Sequence, residues 1–202
     1  MELIVGKDAL LDERLLAAEA VVFDVGNVLL TFEPEKVVLL LPEEYRAALR
    51  AVLFGPEHRW YEFDLSRKPN GELAAEIALE AGVPDGGESI LYVLEHFPET
   101  LTPLPLYHTI PSLKERGKRV FLLSNYAEPS FRLTKEAFPW LKEAEGEVVS
   151  SREKVCKPDP EIYRRFLERY PIDPAQTLYI DDAEANVRAG EAAGFRVWHY
   201  RG

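Results

Sequence analysis

Four short polar segments of this chain lie where a strand or loop gives way to a helix, and open α/β sheets carry their chemistry at such places. In chain order they contain Asp24, Ser124 with Asn125, Lys157, and Asp181 with Asp182. Two or three carboxylates that converge with one lysine suit a divalent, oxygen-preferring cation and a phosphate group. Taken singly, each segment is explained as a helix cap, a turn or a solvated charge. Taken together, they favour one shared site.

Buried strands are needed to bring these side chains together. Apolar runs rich in β-branched and aromatic residues end at Asp24, Ser124 and Asp181, and such runs predict strands. Beyond residue 104 the strands alternate with helical patterns, so we expect a parallel sheet covered by helices on both faces. The predicted strands are 20–24, 119–123, 147–150, 177–181 and 195–199. Their carboxyl ends should meet at one edge of the sheet.

A long helical region, interrupted by Pro and Gly, separates the first two predicted strands. Its clearest helical pieces are 43–54, 72–81 and 88–96, and another short helix is expected at 8–19. We therefore predict an α/β protein with a Rossmann-like parallel-sheet core and a small helical cap inserted after the first core strand. The core domain would comprise residues 1–32 and 103–202, and the cap domain residues 33–102.

Composition excludes several classes of partner. The 202 residues include 35 acidic and 24 basic side chains, so the net charge of -11 argues against a general nucleic-acid binder. No uninterrupted apolar stretch has the roughly 18 to 20 residues that a membrane span requires. Cys156 is the only cysteine, which excludes an intrachain disulfide and favours a reducing compartment. We expect a cytoplasmic protein with a small-molecule substrate; the sequence does not indicate its oligomeric state.

In their order along the chain, the four segments resemble the motifs of the haloacid dehalogenase-like (HAD) hydrolases. The resemblance runs from about Val21 to Tyr200, and its most specific part begins at Tyr179 and continues to Gly194. Residues 24–28 have the form Asp-x-Gly-Asn-Val, which is similar to the first motif of a sugar-phosphatase-like branch of these proteins. The resemblance implies the same core and cap as the sequence pattern.

The resemblance also implies a Mg²⁺ site and a nucleophile. Asp24 would attack phosphorus to give an aspartyl-phosphate, which water then hydrolyses, and would also bind the metal. Gly26 would contribute its backbone carbonyl and Asp182 its carboxylate, whereas Asp181 would support the metal directly or through water. Mg²⁺ favours such oxygen ligands and bridges to phosphate oxygens.

Other residues are expected to handle the substrate. By resemblance, Ser124 and Asn125 bind the phosphoryl group, and Lys157 is a catalytic and substrate-binding residue that offsets the phosphate charge and orients the nucleophile. In the insert, Arg59 is a candidate for the mouth of the site because arginine suits a phosphate. The aromatic residues after it are suited to stacking on a sugar, or alternatively pack the cap core while Arg59 is solvated.

Gly26 departs from the usual HAD phosphatase pattern, which has there a second aspartate that acts as general acid and then base. Without that donor, protonation of the leaving group is lost, an effect of roughly 10² to 10⁴-fold. Asn27 is a candidate helper at this position, although an amide does not donate a proton as an acid does.

The leading interpretation is a Mg²⁺-dependent phosphomonoesterase acting on a small phosphorylated metabolite such as a sugar phosphate. One alternative is a 2-haloacid dehalogenase, in which Asp24 attacks carbon, although the pair Asp181–Asp182 favours phosphate chemistry. Another is a catalytically weak domain that binds a phosphorylated ligand or protein partner.

Overall fold

A five-stranded parallel sheet forms the centre of the computed structural model, which describes residues 12–56 and 58–202. The strands are β1 Ala20–Phe23, β2 Arg119–Ser124, β3 Gly146–Val149, β4 Thr177–Asp181 and β5 Arg196–His199. Their order in the sheet is β3-β2-β1-β4-β5, and every neighbouring pair is parallel. The predicted α/β, Rossmann-like core fold is confirmed, and each strand lies within about one residue of its predicted bounds.

Eleven α-helices occur in the described residues. They are α1 Glu13–Ala17, α2 Pro34–Val38, α3 Glu43–Phe54, α4 Trp60–Leu65, α5 Asn70–Glu80, α6 Gly87–His96, α7 Thr109–Glu115, α8 Ser130–Ala137, α9 Ser150–Glu153, α10 Pro160–Arg169 and α11 Glu184–Ala192. The three predicted helical pieces of the insert correspond to α3, α5 and α6. Only part of the helix expected at 8–19 forms α1, and residues 8–11 lie outside the described residues. Helix α4 was not predicted.

Alternate residues of the strands pack on opposite faces of the sheet, as the period of a strand requires. Val22 and Phe121 pack on the face covered by α10 and α11, together with Tyr163 and Phe166. Phe23 belongs to a second apolar cluster that covers the other face and extends into the inserted helices. The insert and that face of the sheet therefore share one continuous core.

Two chain segments connect the sheet with the inserted helices, and they run side by side. The backbone N–H of Thr31 donates to the carbonyl of Thr102 at 2.8 Å, and that of Leu104 donates to the carbonyl of Leu29 at 2.8 Å. These contacts adjoin the predicted domain boundaries. The division into a core domain and a cap domain remains a prediction from the sequence.

No helix in the described part of the chain combines the length and the apolar character needed to cross a membrane.

Candidate active site

The carboxyl edge of the sheet brings the predicted polar residues together. Phe23 pairs in register with Ile180 of β4, so Asp24 and Asp181 stand level at the ends of adjacent strands. On the other side of β1, Phe23 pairs with Leu122 of β2, which places Ser124 at the same edge. The register of three parallel strands thus determines this arrangement.

Asp24 is a buried carboxylate held in one orientation. Its Oδ1 accepts hydrogen bonds from the Val25 backbone N–H at 2.7 Å and from the Ser124 hydroxyl at 2.8 Å. The Lys157 ammonium lies 2.9 Å from the same oxygen. Within the described residues, Oδ2 receives no hydrogen bond, so this is the oxygen available to a metal or a reacting phosphorus.

Lys157 lies behind Asp24, with only 3% of its surface exposed. Its Nζ donates to the Leu123 carbonyl at 2.9 Å and to Asp181 Oδ2 at 2.7 Å, in addition to its contact with Asp24. Burial acts to lower the pKa of Lys157, but attraction to Asp181 and Asp24 outweighs it and the pKa is raised. The lysine is therefore cationic, and its three protons are directed at these three oxygens.

Asp181 is held by protein donors on both carboxylate oxygens. Besides Lys157, the Tyr179 hydroxyl donates to it, and so do the Ala183 backbone N–H at 2.9 Å and Asn186 Nδ2 at 3.0 Å. Burial would raise the pKa of Asp181, but Lys157 and these hydrogen bonds lower it. Asp181 is thus an ionised group that positions the lysine.

Tyr179 and Asn186 were assigned no role from the sequence. Tyr179 lies two residues before Asp181 on β4, and Asn186 lies five residues after it on α11. Both belong to the segment from Tyr179 to Gly194 that carries the most specific part of the family resemblance, and this is the sequence signal that marks them.

Asp182 is connected to the first motif through Asn27. Asn27 Nδ2 donates to Asp182 Oδ2 at 3.1 Å, while Asn27 Oδ1 accepts from the Phe32 backbone N–H at 2.9 Å. Asn27 has a left-handed backbone with φ of 53°, which asparagine tolerates better than most residues. Burial raises the pKa of Asp182. One amide therefore fixes both the turn after β1 and the second carboxylate.

The three aspartates fit a metal ion. Carboxylate oxygens of Asp24, Asp181 and Asp182 all lie within 4.8 Å of one another. Burial raises the pKa of Asp24 to about 7, Lys157 opposes this rise, and the charges of Asp181 and Asp182 add to it. One lysine does not neutralise three crowded carboxylates, so an all-oxygen site with excess negative charge suits a hard divalent cation.

Asn125 makes two hydrogen bonds with the backbone of Lys157. Its Nδ2 donates to the Lys157 carbonyl at 2.9 Å, and its Oδ1 accepts from the Lys157 backbone N–H at 2.8 Å. Asn125 also lines the cavity described below. In this structure it fixes the loop that carries the lysine, a role that the sequence did not suggest.

A cavity of about 180 Å³ opens in front of Asp24. The sheet edge contributes its floor, which includes Gly26, Asn27 and Asp182. The rest of the lining is largely apolar and aromatic, with Leu30, Phe32, Trp60, Phe97, Leu101 and Tyr126. One further carboxyl group, that of Asp64 in α4, also lines the cavity. The site therefore combines polar groups at the sheet edge with an apolar and aromatic lining.

Arg59 is not brought to this cavity. Its guanidinium pairs with Glu62 and Glu80 and lies 3.8 Å from Glu76, so carboxylates of the inserted helices neutralise its charge. Its neighbour Trp60 is 8% exposed, packs among aromatic rings and lines the cavity. In this structure Arg59 is a structural ion-pair partner among the inserted helices, and its expected contact with substrate has no support from its position.

The chain is similar in sequence and fold to proteins of a known family. Residues 18–194 match the family described as haloacid dehalogenase-like hydrolase. A sesquiterpene phosphatase, AstK, from Aspergillus oryzae is 24% identical over 182 residues, which cover 90% of this chain and 89% of that protein. Acyl-CoA dehydrogenase family member 10 from Mus musculus is 25% identical over 192 residues, which are 88% of this chain and 17% of that protein.

A crystal structure of the HAD family enzyme BT-2542 from Bacteroides thetaiotaomicron has a similar fold, with a TM-score of 0.74 and 22% identity over 92% of this chain and 94% of that one. The same enzyme has been solved in complex with magnesium and inorganic phosphate, with a TM-score of 0.70 and 22% identity. That alignment covers 90% of this chain and 93% of the other.

The family match spans most of the chain, and the chain belongs to the haloacid dehalogenase-like hydrolases.

Proposed function

We propose that this protein is a Mg²⁺-dependent phosphomonoesterase that works through an aspartyl-phosphate on Asp24. The observation that carries the proposal is the hydrogen bonding of that carboxylate. Three donors hold Oδ1, and Oδ2 is left available at the cavity. A carboxylate fixed in this way is preorganised for in-line attack, and the cationic Lys157 behind it offsets the charge of an approaching phosphoryl group.

Two bond changes make up the reaction. Asp24 Oδ2 attacks phosphorus as the bond from phosphorus to the ester oxygen breaks, and the ester oxygen leaves as an alkoxide that takes a proton from an acid in the cavity or from water. Water then attacks the phosphorus of the aspartyl-phosphate, which releases inorganic phosphate and restores Asp24. Ser124 and Lys157 hold the carboxylate throughout, and Asp181 keeps the lysine in place.

Asp24 and Asp182, with the Gly26 carbonyl, are the groups that would hold Mg²⁺. Asp181 contributes at longer range, because both its oxygens already accept hydrogen bonds. When bound, Mg²⁺ supplies positive charge that stabilises the phosphoryl oxygens in the transition state. The magnesium and phosphate complex of BT-2542, a protein of the same fold, supports this choice of ion.

The organic part of the substrate would lie against the apolar and aromatic lining of the cavity. Sugar phosphates are one candidate class, because a sugar face stacks on aromatic rings. The apolar part of the lining favours a second class, phosphate esters of apolar alcohols, since Leu30, Phe32 and Phe97 offer no polar partners to hydroxyl groups. The name of AstK, a sesquiterpene phosphatase, supports trying this class.

A substrate panel tests the proposal. Purified protein is assayed with Mg²⁺ on 4-nitrophenyl phosphate, sugar phosphates, prenyl monophosphates and 2-haloacids. We expect phosphate release that EDTA stops and Mg²⁺ restores, and none from Asp24→Asn, which keeps the shape of the side chain but lacks the nucleophile.

The matched control is Asp85→Asn, an exposed aspartate of the insert, which should behave as wild type. Halide release from haloacids would point to dehalogenation, and undiminished activity in chelator would overturn the metal site. Phosphate binding without turnover would indicate a catalytically weak binding domain.

A further inference from the structure

The turn after β1 has no side chain from which a proton could reach the leaving group. Gly26 lies on the cavity floor, two residues after the nucleophile. A Cβ built on Gly26 would meet only Phe32 Cβ, at 3.9 Å, so neither space nor an unusual backbone requires glycine there. Neither a clash at the Cβ position nor the backbone conformation therefore accounts for the missing carboxyl.

Asp64 brings a carboxyl group to the same cavity from one of the inserted helices. It belongs to α4, one helical turn after Trp60, and residues four apart share a face of a helix. Both therefore line the cavity that Asp24 opens onto. Of the cavity-lining side chains in the described part of the chain, Asp64 is the only carboxyl group outside the cluster of Asp24 and Asp182.

The core fixes the position of α4. The Asp64 carbonyl accepts a hydrogen bond at 2.7 Å from the hydroxyl of Ser150, and that hydroxyl oxygen accepts at 2.9 Å from the Tyr126 backbone N–H. Close by, Lys154 Nζ donates to the Ser66 carbonyl at 2.5 Å. Contacts from the sheet side thus hold the end of α4 over the site, so the distance between Asp64 and Asp24 is set by the core rather than by a free loop.

We propose that Asp64 is the general acid and base of the phosphatase reaction, in place of the side chain that Gly26 lacks. This rests on the proposed function. The Asp64 carboxyl would give its proton to the ester oxygen as the phosphorus–oxygen bond breaks and the bond to Asp24 forms. The resulting carboxylate would then take a proton from the water that attacks the aspartyl-phosphate, so that the acid is regenerated once per turnover.

The surroundings of Asp64 favour the protonated form that this role needs. Burial raises the pKa of Asp64 to about 8, the charge of Asp24 adds to the rise, and Lys157 and the Ala127 backbone N–H oppose it. The other titratable groups that interact with Asp64 are Tyr126 and Cys156, whose pKa values are also raised by burial, so both are neutral near pH 7.

The test is a series of phosphate monoesters whose leaving alcohols range from 4-nitrophenol to simple alkanols. With an acid in place, kcat/KM of the wild type should depend weakly on the pKa of the leaving group. In Asp64→Asn the dependence should become steep, with a loss of about 10² to 10⁴-fold for alkyl esters and a much smaller loss for 4-nitrophenyl phosphate. Asp64→Ala lacks both the carboxyl group and the amide that Asp64→Asn introduces, and it should give the same steep dependence.

A second arm asks whether a carboxyl group at the usual position rescues the variant. Gly26→Asp in the Asp64→Asn background should recover activity on alkyl esters selectively, and Asp85→Asn should leave the wild-type dependence in place. A steep dependence in the wild type, or equal dependences in wild type and Asp64→Asn, would overturn the role of Asp64. Absence of any turnover that depends on Asp24 would instead overturn the proposed function.

Discussion

The Lys157 ammonium bridges two carboxylates, with Nζ 2.9 Å from Asp24 Oδ1 and 2.7 Å from Asp181 Oδ2. All three residues are at least nine-tenths buried, so water does little to screen their charges. The bridge connects the ends of β1 and β4 to the loop before α10. It is therefore a structural link between three segments as well as the charge behind the nucleophile.

Replacement of this lysine by methionine should destabilise the protein and stop turnover. Lys157→Met keeps the length of the side chain but leaves Asp24 and Asp181 buried without their cationic partner. Breaking one side of a buried ion pair costs about 3–5 kcal/mol. Urea unfolding in chelator should show a loss of this size.

The control for that measurement is Lys142→Met, which removes an exposed lysine and should change stability by less than about 0.5 kcal/mol. In the double variant Lys157→Met with Asp181→Asn, the two losses of stability should not add. Asp181→Asn removes a negative charge that Lys157→Met leaves unpaired. Additive losses would contradict the bridge.

Asn27 should set the requirement for Mg²⁺ through its hydrogen bond to Asp182. Asn27→Ala and Asn27→Gly both remove that bond, and loss of a partner that orients a metal ligand weakens metal binding by about 10–100-fold. The Mg²⁺ concentration for half-maximal activity should rise to a similar extent in both variants.

The two variants differ in backbone cost. Because Asn27 has a positive φ, Asn27→Ala should be less stable than Asn27→Gly by about 1 kcal/mol. An unchanged Mg²⁺ requirement would show that Asp182 is held without Asn27. Equal stabilities would show that the turn relaxes.

Gly26 should tolerate a methyl group. Since its φ is not in the left-handed region and an added Cβ makes only an ordinary contact with Phe32, Gly26→Ala should fold normally. The loss of unfolded-state freedom should leave it as stable as wild type or more stable by about 0.4–1 kcal/mol. Gly117→Ala is the opposing case, since φ there is 73° and the variant should be destabilised. A clear loss of stability in Gly26→Ala would mean that the turn needs glycine.

The sequence predicted the site residues that the ends of strands position. It missed those whose position depends on how the inserted helices pack. Asp24, Ser124 and Asp181 end apolar runs, and the parallel arrangement alone brings such ends to one edge. No sequence pattern marked Asp64, because α4 is short and its local sequence does not show which of its side chains face the site. Arg59 illustrates the same difficulty: its type suited a phosphate, but three nearby glutamates take its charge.

The stability of the metal-free protein should depend on pH through Asp64. The pKa of this carboxyl is about 8 in the folded chain against an ordinary value of 3.8, so between these values the folded state holds a proton that the unfolded state has released. Stability from this group is present at low pH and is lost as pH rises toward about 8. The substitution Asp64→Asn should remove this pH dependence, because an asparagine side chain does not titrate.

The expected outcome is that Asp64→Asn gains stability relative to wild type as pH increases from about 5 to about 8. Urea unfolding in EDTA at several pH values measures the difference, and Asp85→Asn, an exposed aspartate, should show no such trend. Asp24 titrates in both proteins and so cancels from the comparison to first order. Stability curves that run parallel for Asp64→Asn and wild type across this range would mean that Asp64 is ionised in the folded protein, and would remove the support that its protonation gives to a role as acid.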